Sequence, residues 1–120
     1  MSRSGFEQNL IWQCRIAKLP AVTPEFRFHP VRRWKVDLAF VPQQIAVEVE
    51  GAVFKGGRHT RGVGVEADCE KYAELAILGW RLLRVTPRQV KSGVALGWIE
   101  RALAASGASE SALSVVGVQP

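Results

Sequence analysis

The chain is poor in the residues that build metal or disulfide frameworks: 120 residues carry two cysteines, two histidines and one methionine. Cys14 and Cys69 fall in helix-like patterns, and with His29 and His59 they show no ligand spacing for a structural zinc. Both cysteines read as small core residues of a reducing cytosol, with a disulfide between them left open. Long hydrophobic runs are missing too. No apolar stretch approaches the roughly 20 residues that cross a bilayer, and the N-terminus lacks a signal peptide's apolar segment. The expectation is a cytoplasmic protein with no membrane partner. There is no internal repeat. What remains is an ordinary globular composition, 48% hydrophobic and 22% charged, enough for one compact domain with one core. The excess charge is positive, +5 with a pI near 9.8, which points to a polyanionic partner, though charge alone decides little.

Ser4-Gly5-Phe6-Glu7 matches a capping box, and Phe6, Leu10, Ile11 and Cys14 recur at helical spacing, so a first amphipathic helix is expected over about 5–17. Leu19-Pro20 and Thr23-Pro24 break it. Glu25 to His29 reads as a short strand with Phe26 and Phe28 on one face. Trp34, Val36, Leu38 and Phe40 then alternate with Lys35, Asp37 and Ala39, and Ile45, Val47 and Val49 alternate with Ala46, Glu48 and Glu50. These two strands should form a hairpin across residues 41–44. Gly51 to Gly64 is glycine-rich and basic and reads as a long functional loop. A helix over Ala67 to Leu78 follows, with Gly79 as its stop, then a strand from Trp80 to Val85. Thr86-Pro87-Arg88-Gln89 signals another helix start, with apolar positions through Leu103. From Ala105 the composition turns to Ser, Gly and Ala, and residues 105–120 read as a mobile tail whose apolar end is a candidate contact.

One register carries the chemistry. If Phe40 pairs with Ile45, the constant sum of antiparallel partners sets Asp37 opposite Glu48. Alternation then puts Asp37, Glu48 and Glu50 on one sheet face. Carboxylates placed so repel one another and call for a cation. A hard divalent ion such as Mg²⁺ fits oxygen ligands, polarises a phosphate and activates water. On pattern alone, a solvated polar face with a different register explains these acids equally well.

At these residues the chain resembles the PD-(D/E)XK nuclease superfamily. The segments Trp34-Lys35-Val36-Asp37, Val47-Glu48-Val49-Glu50-Gly51, Gly57-Arg58-His59, Asp68-Cys69-Glu70-Lys71-Tyr72 and Gly79-Trp80-Arg81-Leu82-Leu83-Arg84 are similar to small phage and bacterial proteins. Those proteins belong to the branch related to very-short-patch-repair endonucleases. The likeness implies a restriction-endonuclease-like α/β core over 1–104, a mixed four-stranded sheet flanked by helices in the order αβββαβα. It implies a Mg²⁺-dependent DNA endonuclease, with Mn²⁺ able to substitute, in a bacterial cell or phage-infected host. Asp37 and Glu48 would ligate the metal with the Val49 carbonyl. The motif lysine is replaced by Glu50, which leaves a general base, a ligand for a second ion, or a migrated lysine (Lys35 or Lys71) as alternatives.

Around this centre, His59 is expected to donate a proton to the leaving oxygen or to bind phosphate, and Arg33, Lys55, Arg58, Arg61 and Lys71 to contact nucleic acid. Asp68 and Lys71 also read as a plain surface ion pair one turn apart. Glu7 is explained by its capping box, although acids on the first helix reach the metal in some relatives. His29, Arg32 and Arg33 line a DNA groove or simply protect a basic edge strand. Branched or otherwise irregular DNA is the expected substrate. RNA is the alternative, and so is an inactive relative that only binds. Cutting both strands of a duplex asks for two active sites, so a homodimer is expected.

Overall fold

The computed structural model describes residues 5–50 and 63–118, with side chains over 5–50 and 64–106. Helix α1 (Gly5–Ile16) leads into strands β1 (Thr23–Arg27), β2 (Lys35–Phe40) and β3 (Ile45–Val49). Helix α2 (Val63–Ile77), strand β4 (Arg81–Val85) and helices α3 (Pro87–Ser92) and α4 (Val94–Val118) complete the order. The strands form one mixed sheet in the order β1-β2-β3-β4. β1, β2 and β3 are antiparallel neighbours, whereas β3 and β4 are parallel. A parallel pair needs a crossover, and the chain between these two strands contains α2. The α/β class and the flanked four-stranded mixed sheet therefore match the expectation. Among the described residues no helix is long and apolar enough to cross a membrane.

The hairpin register is the expected one, with Phe40 opposite Ile45, Ala39 opposite Ala46 and Leu38 opposite Val47. Gln44 closes its turn at φ +54°, donating its N–H to the Val41 carbonyl at 3.1 Å. Two cores lie on the two sides of the sheet. Leu10, Ile11 and Cys14 of α1 pack with Leu38, Phe40, Ile45, Val47 and Val85 of the sheet and with Val90, Ala95 and Ile99 of α3 and α4. On the α2 side, Leu75 packs with Ala39, Ala46, Val36 and Phe28, flanked by Phe26, Trp34, Tyr72, Trp80 and Leu82. Ala39 and Ala46 are paired and fully buried, and their small side chains bring α2 close to the strands.

Five local readings change. β1 begins at Thr23 rather than after Pro24, a residue a strand edge tolerates because its missing N–H would face away from the sheet. α2 starts at Val63, so Val63 and Gly64 belong to helix and not to the loop. The C-terminal helix is two: Thr86 caps α3 with both arms of a capping box to Gln89, and Gly93, at φ +89°, ends it. α4 then continues through Ala105 to Val118, so 105–118 is helical where a tail was expected. Cys69 is exposed on α2 instead of buried, whereas Cys14 is in the core.

Candidate functional site

The alternation of β2 breaks at Asp37. Val36 packs into the α2-side core while Leu38 and Phe40 pack into the other. The cause lies across the ladder, where Pro24 pairs with Leu38 and Phe26 with Val36, but Glu25 and Asp37 between them form no pair. Glu25 takes a left-handed φ of +51°, which a strand residue adopts only at an interruption. Asp37 therefore meets Glu25 and Glu7 of α1. Carboxylate oxygens of Glu7, Glu25 and Asp37 lie within 4.8 Å of one another. Asp37 is anchored by the Val49 N–H, which donates to its Oδ2 at 2.8 Å.

This crowding shows in the protonation of the group. Burial first, then the charges of Asp37 and Glu25, push the Glu7 carboxyl up to about 8. Glu7 keeps its proton at neutral pH and shares it with its two neighbours. Asp37 is also raised, chiefly by burial and further by the charges of Glu48 and Glu25, against the opposing hydrogen bond from Val49. Three oxygen donors that resist carrying full charge together suit a small hard cation, and carboxylate oxygens are what Mg²⁺ and Mn²⁺ prefer.

Glu48 is close enough for its charge to act on Asp37, yet its carboxylate is held elsewhere. It is the one buried charged residue among those described, 8% exposed. Tyr72 Oη donates to its Oε1 at 2.6 Å and Lys71 Nζ donates to its Oε2 at 2.9 Å. Burial, with the Glu48 hydrogen bond behind it, raises the Tyr72 hydroxyl, which stays a donor. Glu50 is tied to Arg84, whose Nε donates to Oε2 at 2.8 Å. The expected trio of Asp37, Glu48 and Glu50 is thus regrouped: Asp37 lies with Glu7 and Glu25, and Glu48 and Glu50 are each paired to a cation. The Asp68–Lys71 ion pair is likewise replaced by Lys71–Glu48.

Both candidate lysines end beside the acids. Lys35 Nζ lies 3.0 Å from Glu25 and Lys71 beside Glu48. His29 and Arg32 are used internally. The His29 Nδ1 accepts the N–H groups of Val31 and Arg32, and its Nε2 meets Glu74 at 3.2 Å. Arg32 donates to Glu70 at 2.8 Å and stacks 3.9 Å over Trp34. These contacts tie the β1–β2 loop to α2, and Arg32 and Arg33 are both exposed. Lys55, Arg58, His59 and Arg61, with Ser4 of the N-terminal capping box, lie outside the described residues.

Three contributors were not read from sequence as site residues: Glu25, Tyr72 and Arg84. Glu25 becomes visible only once the β1–β2 register is known, and Tyr72 looked like an ordinary core position. Comparison with family models, with curated proteins and with solved structures returned no match for this chain.

Proposed function

We propose that this chain is a metal-dependent phosphodiesterase that cleaves nucleic acid, with DNA as its substrate. The observation that carries the reading is the meeting of Glu7, Glu25 and Asp37 within 4.8 Å beside a buried Glu48. Asp37, Glu7 and Glu25 would hold a Mg²⁺ or Mn²⁺ ion, with Glu48 and the Val49 carbonyl on the β3 side. A divalent cation there supplies Lewis-acid polarisation of a phosphate oxygen and a lowered pKa for bound water. The Val49 N–H fixes the orientation of Asp37, and Glu7 must release its shared proton for the donor set to act. Lys71 brings a positive charge beside Glu48 and would serve the developing charge on the phosphoryl oxygens. Lys35 offsets Glu25 on the other edge. Glu50, bound to Arg84, is assigned to shaping the site and not to base catalysis. Arg33, Lys55, Arg58, His59 and Arg61 are proposed to hold the phosphate backbone, and two copies would be needed to cut both strands.

A second reading rests on one observation: Glu48 and Glu50 are both neutralised by internal cations, as in a nucleic-acid-binding module without chemistry. Labelled linear, single-stranded and four-way-junction DNA, and RNA, incubated with Mg²⁺, Mn²⁺ or EDTA, separate the two. The nuclease reading expects metal-dependent cutting that falls to the no-enzyme background in Asp37→Ala. Binding without cutting, indifferent to metal and to Asp37→Ala, favours the module.

A further inference from the structure

Glu48 sits in the middle of the sheet, and a buried carboxylate is tolerated only when its oxygens are satisfied. Two consecutive residues of α2 satisfy it. Tyr72 and Lys71 project about 100° apart around the helix and take one oxygen each, so the plane of the carboxylate is set from both sides. The Tyr72 contact, at 2.6 Å, is in the range of charge-assisted O–H···O⁻ bonds. The ring is itself wedged. Arg84 lies 5.0 Å and Lys71 5.4 Å from its centroid, and each of these cations holds a different acid, Glu50 and Glu48. One turn further on, Leu75 is buried against the Ala39–Ala46 pair, which fixes the height of the ring above the sheet.

We propose that Tyr72 is a positioning residue of the metal site: with Lys71 it fixes the orientation of the Glu48 carboxylate beside the cluster of Glu7, Glu25 and Asp37. The assignment rests on the nuclease reading above. Losing the hydroxyl leaves the ring and its packing in place and frees the carboxylate to turn. The effect therefore falls on metal affinity and turnover and not on folding. Supporting residues of this kind are typically worth about 10- to 100-fold in metal affinity or activity.

The chain contains a single tyrosine, so fluorotyrosine labelling reports on position 72 alone. In the labelled wild type, Mg²⁺ should shift the ¹⁹F resonance, and Glu48→Gln should abolish the shift. By calorimetry, Tyr72→Phe should bind Mn²⁺ at least about tenfold more weakly than wild type. It should lower kcat with little change in KM for DNA and melt within a few degrees of wild type. Tyr72→Phe combined with Glu48→Gln should bind no more weakly than Glu48→Gln alone, because the two act through one group. If Tyr72→Phe does not fold, Lys71→Met reads the other arm of the clamp and the ¹⁹F shift reads the tyrosine itself. A wild type that binds Mn²⁺ and cuts DNA, with Tyr72→Phe equal to it and no ¹⁹F shift, overturns this assignment alone. A wild type that neither binds the metal nor cuts overturns the nuclease reading and this assignment with it.

Discussion

Glu7 is the residue whose state most constrains its neighbours. Its carboxyl is raised from 4.5 to about 8 by burial and by Asp37 and Glu25. The folded protein binds this proton more tightly than the unfolded chain does. The stability it contributes is complete below pH 4.5 and is lost as the pH climbs through 8. In EDTA, melting temperature should therefore fall between about pH 5 and pH 8. Glu7→Gln should flatten that slope and melt higher than wild type at the alkaline end. Mg²⁺ added at pH 8 should restore the wild type, because an ion bound to the folded state alone stabilises it by mass action. Thermal melts across this range check all three outcomes, and an unchanged slope in Glu7→Gln would remove Glu7 as its source.

Much of the element order was legible because periodicity and local punctuation agreed. The β2–β3 hairpin followed from two alternating runs around a four-residue turn, and its register was read correctly. Thr86-Pro87-Arg88-Gln89 announced α3, and both arms of its capping box form. Thr86→Ala should cost about 1 kcal/mol of stability, seen as a melting point lower by a few degrees, while Thr86→Ser should recover most of it. The failures have equally local causes. Val63-Gly64 looked like loop because glycine and charge dominate the preceding residues. Ala105 to Val118 looked like tail because the composition turns to Ser, Gly and Ala and an apolar period is faint there, yet α4 continues through it. The site was half legible. Asp37 and Glu48 stand out in the sequence by alternation, although the paired register ends at Leu38 and Val47. Glu25 turns to meet Asp37 only through a left-handed backbone residue that no alternation rule anticipates.

At the scale of the molecule, an acidic centre is set in a chain of net charge +5, so attraction for a polyanion must come from the surface around it. Nucleic-acid affinity should fall steeply with salt. The slope of log affinity against log salt should shrink by about 1 for each phosphate-binding arginine removed, with Arg58→Ala and Arg61→Ala as the first tests. Filter binding in EDTA measures this without cleavage, and a slope untouched by either change would place the contact elsewhere, with Arg33 next.

The strands lie across the sheet in the same order in which the ribosome releases them. β2 and β3 can each pair with the strand made just before it, and β4 alone must wait for α2 to be synthesised. Glu7, Glu25 and Asp37 are thus complete within the opening third of the chain, whereas Lys71, Tyr72 and Arg84 emerge later with α2 and β4. A nascent chain can bring its carboxylates together early, but it gains the clamp that orients Glu48 only as the last strand closes the sheet.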